Sequence, residues 1–195
     1  NIKNLCLAGG VALNCVVNGK ILESKIFDNI WIQPASGDAG GSLGAALALW
    51  HIENGNKRII NSNDSMNGSY LGKEFSQYEI EKELKSVGAN FKTLDYNDLI
   101  DKTAEFLSNE KVIGWFQGRM EFGPRALGAR SILGDPRSDK MQKNLNLKVK
   151  YRESFRPFAP SVLNEDLSEW FDMNTESPYM LMVAKISSSK IIEMT

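Results

Sequence analysis

The sequence predicts an α/β fold, and three features indicate it. Short apolar segments at 5–8 and 29–33 each end in a glycine-rich turn and are followed by apolar residues at helical spacing. Two amphipathic helical patterns, 76–88 and 97–109, precede another apolar strand at 112–116. The composition, 42% hydrophobic and 24% charged, is that of an ordinary globular protein, and 195 residues can bury a core in one or two domains.

Composition and charge narrow the range of partners. The net charge of −1 provides no bulk attraction to nucleic acid or to a membrane surface, so any basic site must be local. No apolar run approaches the ~20 residues needed to cross a bilayer. Cys6 and Cys15 form no CxxC pair, which argues against a disulfide framework or a zinc knuckle and favours a reducing cytosol. We therefore expect a cytoplasmic protein that uses neither a membrane nor nucleic acid as its partner.

The first predicted unit is a strand, a glycine turn and a helix. The strand Leu5 to Ala8 ends at Gly9 and Gly10, and apolar residues then recur with helical spacing as far as Leu22. Such a turn can hold a phosphate at the helix N-terminus, where free N–H groups and the helix dipole favour negative charge. Any tight strand-to-helix connection also uses glycine, so the turn alone leaves both interpretations open.

The second predicted unit repeats this order. The strand Asn29 to Gln33 leads into a turn rich in glycine, and Ser42 to Trp50 is predicted as a helix of small residues that packs closely on a sheet. Asp38 lies in the turn. Its carboxylate is predicted either to cap the following helix or to bind a metal ion that bridges a nucleotide.

The middle of the chain changes character. Residues 53–70 are rich in Asn, Ser, Gly and Asp and have little apolar periodicity, which is typical of an interdomain linker. Beyond it, Ser76 and Glu79 have the spacing of a helix capping box. Strands are predicted at 89–94 and, near the end of the chain, at 179–186.

Arginine is concentrated in one part of the chain. Six of the seven arginines lie between positions 119 and 156: Arg119, Arg125, Arg130, Arg137, Arg152 and Arg156. A guanidinium fork matches phosphate and carboxylate oxygens better than a lysine does, so the clustering indicates an anionic ligand. The alternative is a set of surface ion pairs with Glu121, Asp135, Asp139 and Glu153, worth ~0–1 kcal/mol each.

The arginines fall into two groups along the chain. Arg119, Arg125 and Arg130 are predicted on an irregular glycine-rich loop after the strand 112–116. A helix that Ser138 is predicted to cap then leads to Lys150, Arg152 and Arg156. We expect Arg125 and Arg152 to approach one pocket and clamp a phosphate. Neither position belongs to an apolar stripe, so we expect the fold to survive replacement of either arginine by lysine.

Two stretches resemble a known family. The arginine block contains GRMEFGPRALGARSILGDPR and, after it, LNLKVKYRESFRPFAPSVL. Together they closely resemble the carboxy-terminal half of the O-carbamoyltransferases of nodulation and aminoglycoside-antibiotic biosynthesis. The earlier LAGGVALNC and PASGDAGGSLGAAL resemble the end of the same family's actin-like ATPase domain. The resemblance implies the end of an actin-like domain over 1–55, a linker over 56–69 and an incomplete YrdC-like α/β domain over 70–195, and so a fragment of a longer protein.

The resemblance also implies an activity. In that family the YrdC-like domain makes carbamoyl adenylate from carbamoyl phosphate and ATP, and the actin-like domain transfers the carbamoyl group to a hydroxyl of a sugar or antibiotic. The resemblance thereby assigns anion and nucleotide binding to six cations, of which Arg119, Arg125, Arg130 and Arg152 are the candidate catalytic residues and Lys150 and Arg156 bind the cofactor. It assigns a nucleotide-contacting turn to Gly9, Gly10 and Asn14, and binding of a divalent metal ion, Fe or Mg, to Asp38. The family's two metal-binding histidines would lie upstream of Asn1, and a final NTSFN-like motif would lie beyond Thr195. A small-molecule acceptor is implied, and a homodimer is left open.

Two other classes of function remain open on the sequence. The first is a non-catalytic nucleotide- or RNA-binding module, because YrdC-like folds have concave basic surfaces. Steeply salt-dependent RNA binding without a response to carbamoyl phosphate would favour it. The second is an interaction or regulatory fragment that binds no small ligand.

Overall fold

The structure is a computed structural model that describes residues 2–60 and 63–191 of the chain. It has mixed α/β architecture, as the sequence predicts. The chain forms two compact units. Unit 1 contains the amino-terminal part through Leu71, the segment Glu121–Leu127 and the part from Ser161 onward, and unit 2 contains Gly72–Met120 and Gly128–Pro160.

A pair of parallel strands organises unit 1. Strand β1, Asn4–Leu7, pairs with β2, Asn29–Ile32, with Leu5 opposite Ile30. Parallel strands need a crossover connection, and helix α1, Cys15–Ser24, provides it after a 3-10 turn, Gly10–Leu13. Helix α2, Asp38–Ala48, follows β2 and continues as a π-helical turn, Leu49–Glu53.

The carboxy-terminal segment completes the core of unit 1. Ala12, Ile32 and Leu181 form a cluster of buried apolar residues in this unit, and Leu7, Leu13, Ile30, Tyr179 and Met182 pack against them. The buried Asn18 amide on α1 donates to the carbonyl oxygens of Ala12, at 2.8 Å, and Leu181, at 2.9 Å. A buried amide needs such partners, so Asn18 ties the last part of the chain to the first crossover helix.

Unit 2 consists of helices and one hairpin. Helix α3, Gln77–Ser86, begins with the predicted capping box: Ser76 and Glu79 each accept a hydrogen bond from the other's backbone N–H. Helix α4, Tyr96–Ser108, leads to strand β3, Ile113–Phe116, which is antiparallel to β4, Arg130–Leu133. Helix α5, Met141–Asn144, continues into a π-helical turn, Leu145–Val149. A 3-10 turn, Asn164–Asp166, and helix α6, Leu167–Trp170, belong to unit 1.

Several local predictions are wrong. Residues 89–94 and 179–186 form no strand; in the second segment only Ile186 makes an isolated bridge, to Phe171. An apolar run becomes a strand only where a neighbour completes the hydrogen-bond ladder, and no described segment supplies one for either. The cap of α5 is Lys140, and the predicted cap Ser138 contributes only its carbonyl oxygen, to the Met141 N–H.

No helix among the described residues is long and apolar enough to cross a membrane. Helix α2 also differs from its prediction as a helix packed closely on a sheet, because none of its residues is buried. Arg130, predicted on the loop after β3, is instead the first residue of β4.

Candidate functional site

A cleft of about 460 Å³ lies at the carboxyl ends of β1 and β2 in unit 1. One wall is the turn after β1, with Gly9 and Gly10, and the other is the turn after β2, with Ser36, Gly37 and Asp38. Ligands of open parallel α/β sheets bind outside the carboxyl ends of the strands, where the connections to the helices diverge. The cleft therefore has the position of a ligand site, and both sequence-predicted glycine turns line it.

Glycine is needed in this cleft for two different reasons. Gly9 has φ +90°, a conformation that side-chain-bearing residues rarely adopt. A Cβ on Gly9 or Gly10 would meet no other atom within 4 Å, so both present bare backbone to open space. At Gly40 a Cβ would lie 2.1 Å from the Ala35 carbonyl oxygen. The first two glycines leave room for a ligand, and the last allows α2 to start close against the preceding turn.

Asp38 lies at the mouth of the cleft as the first residue of α2. It does not cap the helix: Gly37 is the N-cap, and no side chain makes the cap hydrogen bond. The exposed Asp38 carboxylate interacts favourably with the positive end of the helix dipole. The described residues contain no group of three or more His, Cys, Asp or Glu side chains that could hold a metal ion. Asp38 is therefore at most one ligand of a metal site that these residues do not complete.

Ser36 is a feature of the cleft that sequence reasoning missed. Its side chain is only 5% exposed, and its Oγ has no hydrogen-bond partner among the described residues. A buried hydroxyl without a partner costs free energy, on the order of 1–3 kcal/mol. The sequence offered no signal for it, because a serine in a glycine-rich turn is ordinary and its burial depends on tertiary packing.

Asn14, predicted to contact a nucleotide, is the N-cap residue of helix α1. Its side-chain oxygen accepts a hydrogen bond from the Val17 N–H at 3.2 Å and so caps α1. This contact fixes where the crossover helix begins, immediately after the 3-10 turn whose first residue lines the cleft. Asn14 thus supports the cleft wall through the backbone.

The arginines of unit 2 are held in several ways. Arg119 is half exposed, and its Nη1 lies 4.0 Å from Oε2 of Glu74. The Arg130 guanidinium stacks on the Phe116 ring, 3.4 Å from its centroid, and donates to the carbonyl oxygens of Gln117 and Gly118. Arg130 therefore fixes the backbone at the start of the hairpin loop that carries Arg119.

Arg152 and Arg156 are connected through a buried amide. Asn146 is fully buried; its Oδ1 accepts from Arg152 Nε at 2.7 Å, and its Nδ2 donates to the Arg156 carbonyl oxygen at 2.8 Å. The Arg152 guanidinium also lies over the Phe158 ring, 4.9 Å from its centroid. The Arg156 side chain pairs with Glu153, whose pKa is lowered by this hydrogen bond. Lys150 is exposed at the end of the π-helical turn.

Arg125 lies in the other unit. Its Nη2 donates to the Leu13 carbonyl oxygen at 3.0 Å, and its Nε is buried without a hydrogen-bond partner among the described residues. The phosphate clamp that we expected from Arg125 and Arg152 together stays a prediction. Each of the two arginines donates a hydrogen bond to a group of its own unit, and the expectation that the fold survives replacement of either by lysine also stays a prediction.

Family models match both parts of the chain. The model described as "Carbamoyltransferase N-terminus" matches residues 1–47, and the one described as "Carbamoyltransferase C-terminus" matches residues 104–195. The chain belongs to the carbamoyltransferase family. The cleft residues Gly9, Gly10 and Asp38 and the helix cap Asn14 fall in the first match, and the arginines from Arg119 to Arg156 fall in the second.

Curated relatives of the chain include nodulation proteins. The nodulation protein NolNO of Sinorhizobium fredii is 46% identical over 97% of this chain and 28% of its own length. The nodulation protein NolO of Bradyrhizobium diazoefficiens is 44% identical over 95% of this chain and 34% of its own length. An uncharacterized protein of Synechocystis is 56% identical over 100% of the chain and 32% of its own length. The chain thus spans about a third of the length of the curated relatives it matches.

Proposed function

We propose that this chain is part of an O-carbamoyltransferase that activates carbamoyl phosphate with ATP to carbamoyl adenylate and transfers the carbamoyl group to a hydroxyl of a small molecule. The observation that carries the proposal is that a single chain matches both carbamoyltransferase models and forms a cleft in the first match and a set of cations in the second. The acceptor, a hydroxyl of a sugar or antibiotic, follows from the resemblance to the O-carbamoyltransferases of nodulation and antibiotic biosynthesis, and two relatives are named as nodulation proteins.

The cleft of unit 1 suits the phosphate groups of a nucleotide. Gly9 and Gly10 offer backbone without side chains, and α2 directs its N-terminus to the cleft. Backbone N–H groups and the helix dipole favour an anion at such a position. In the proposal this cleft belongs to the actin-like part of the protein, and Asp38 contributes one carboxylate to a divalent Fe or Mg ion whose remaining ligands come from outside the described residues.

The cations of unit 2 suit a second anionic substrate. Carbamoyl phosphate and ATP are both polyanions and repel each other, so an adenylation site needs several fixed cations. The candidate cations of this site lie in the part of the chain that we propose to be YrdC-like, and they are Arg119, Arg130, Lys150, Arg152 and Arg156. Arg152 is held by the hydrogen bond to Asn146, so little conformational entropy is lost when a phosphate binds to its guanidinium group.

The decisive measurement is release of pyrophosphate from ATP that depends on carbamoyl phosphate, made with a full-length carbamoyltransferase containing this chain. We expect release in the wild type and a loss of roughly 10- to 100-fold in Arg152→Met, from the 1.5–3 kcal/mol of a hydrogen bond to a charged group. Arg137→Met is the matched control, since Arg137 is already paired with Asp135. Release that needs no carbamoyl phosphate, or none at all in an active, folded preparation, would contradict the proposal.

A further inference from the structure

The segment Glu121–Leu127 belongs to the unit that contains the cleft, although it lies in the second family match. Its base is closed by the buried Glu121, whose Oε1 accepts from the Leu127 N–H at 2.7 Å. The Phe122 N–H donates to the Ser69 carbonyl oxygen at 2.7 Å, and the Tyr70 hydroxyl donates to the Leu127 carbonyl oxygen at 2.6 Å. These bonds fix the loop to the segment 69–70, and we call it the staple loop.

The staple loop reaches the wall of the cleft that follows β1. Arg125 donates to the Leu13 carbonyl oxygen at 3.0 Å. Leu13 is the last residue of the 3-10 turn, which starts at the cleft residue Gly10. A charged donor to a carbonyl oxygen is among the stronger single hydrogen bonds in proteins. Arg125 therefore fixes the far end of this wall.

The same loop reaches the wall that follows β2. Gly123 has φ +125°, and a Cβ there would lie 3.2 Å from Cβ of Ala35 and 3.6 Å from the Pro34 carbonyl oxygen. Ala35 is fully buried and precedes Ser36 in the cleft. Glycine is required here both for its backbone conformation and for the close approach. Gly123 and Arg125, which are two residues apart on the same loop, thus lie against the two walls of the cleft.

We infer that the staple loop sets the separation of the two glycine turns, and that Arg125 is a positioning residue for the cleft, acting through the Leu13 carbonyl oxygen. Its buried Nε supports this assignment, because that face of the guanidinium is closed to solvent. The ligand that would use the cleft rests on the proposed function, but the positioning role does not.

The first test needs no ligand and uses amide hydrogen exchange in the 195-residue chain. The Ala12 and Asn14 amides, bonded to the Gly9 and Val11 carbonyl oxygens, report on the first wall, and the Gly40 amide, bonded to the Gly37 carbonyl oxygen, reports on the second. We expect Arg125→Met to speed exchange at Ala12 and Asn14 roughly tenfold, the factor that corresponds to the lower end of a hydrogen bond to a charged group. Unchanged exchange there would overturn the inference.

Matched variants separate positioning from general destabilisation. Arg58→Met alters an exposed arginine of the same unit and should leave all three amides unchanged. Gly123→Ala should speed exchange at Gly40. The Gln117 amide, bonded to the Ala129 carbonyl oxygen in unit 2, should not respond to either variant of the staple loop. Equal acceleration at Gln117 would overturn the local role.

Conservative variants distinguish a donor from a charge, and they carry the test if Arg125→Met does not fold. A donor to a carbonyl oxygen can be neutral, so Arg125→Gln and Arg125→Lys should both exchange more slowly than Arg125→Met at Ala12 and Asn14. In the full-length carbamoyltransferase, Arg125→Gln and Arg125→Lys should likewise bind Mg·ATP more tightly than Arg125→Met. If Arg125→Gln loses ATP as fully as Arg125→Met while exchange is unchanged, Arg125 binds the anion directly and the inference fails. If exchange responds but the wild type binds no ATP, the positioning role stands and the proposed function of the cleft falls.

Discussion

Arg137 and Asp135 form a local ion pair that combines side-chain and backbone hydrogen bonds. Arg137 Nε lies 2.9 and 3.0 Å from the two carboxylate oxygens, Nη2 lies 2.6 Å from Oδ2, and the Arg137 N–H donates to Oδ1 at 2.9 Å. The hydrogen bond from the Arg137 side chain, with the backbone N–H and the positive charge, lowers the pKa of Asp135 to about 2. The charge of Arg137 is therefore already paired with the carboxylate of Asp135.

This pair predicts a pH dependence of stability. The pKa of Asp135 is lower in the folded chain than its ordinary value of 3.8, so its stabilisation is present above about pH 4 and is lost as the pH falls towards 2. We expect Arg137→Met to be less stable than the wild type at pH 6, with a difference that shrinks between pH 4 and 2. Urea unfolding at fixed pH values measures it. A difference that stays constant over this range would show that the pair contributes nothing through Asp135.

The arginine cluster shows how far the sequence could predict the site. Clustering alone indicated cations for an anion, but it could not show which of them have protein partners. Arg137 and Arg156 have an acid two and three residues away, and both form the ion pairs that were the alternative interpretation. The partners of Arg125 and Arg152 are a backbone carbonyl oxygen and a buried amide, which have no sequence signature.

The fold shows the same difference between elements that local sequence predicts and elements that depend on residues distant in the sequence. The apolar runs of β1 and β2, the turns after them and the capping box of α3 are each recognisable in a short stretch of sequence, and all were predicted to within a few residues. The segment 179–186 has strand-like composition, but in the structure Tyr179, Leu181 and Met182 pack in the core of unit 1, and the Asn18 side chain donates to the Leu181 carbonyl oxygen. The hydrogen-bond partner of the Leu181 carbonyl oxygen is thus 163 positions away in the sequence, and no local pattern could have predicted it.

Ser36 and Ser69 allow a matched test of the cleft. Both hydroxyls are buried in unit 1 without a hydrogen-bond partner among the described residues, but only Ser36 lines the cleft. A partnerless buried hydroxyl is a cost of about 1–3 kcal/mol, so replacement of either by alanine should leave the unliganded thermal midpoint unchanged or raise it. Ser36→Ala should also weaken Mg·ATP binding by the full-length carbamoyltransferase, because a ligand oxygen would be the missing partner.

The outcome at Ser69 decides the interpretation. Ser69→Ala should leave ATP binding unchanged. If both variants weaken ATP binding equally, or if Ser36→Ala lowers the midpoint without affecting ATP, Ser36 is a packing residue and not a contact to the ligand.

Arg152→Lys should affect both stability and ligand binding. Lysine keeps the charge but loses the planar fork, and the buried Asn146 Oδ1 then lacks the Arg152 Nε donor. We expect destabilisation of about 1–3 kcal/mol for the unsatisfied amide oxygen. Thermal unfolding with and without carbamoyl phosphate separates the two effects. A lowered midpoint with an unchanged shift on adding carbamoyl phosphate would make Arg152 purely structural, and the proposed anion site would lose it.

Asp38 should bind a divalent cation only together with ligands from outside the described residues. One exposed carboxylate at a helix N-terminus supplies too few oxygens for a tight site, since hard cations take six or more ligands. We expect the 195-residue chain to show no micromolar Mn²⁺ binding by water-proton relaxation, whereas a full-length carbamoyltransferase should bind Mn²⁺ and lose it in Asp38→Asn. Asp28→Asn is the control, because Asp28 is exposed in the same unit and pairs with Lys3 at 3.1 Å. Micromolar binding by the 195-residue chain that Asp38→Asn abolishes would show that the site needs no further ligands from outside this chain.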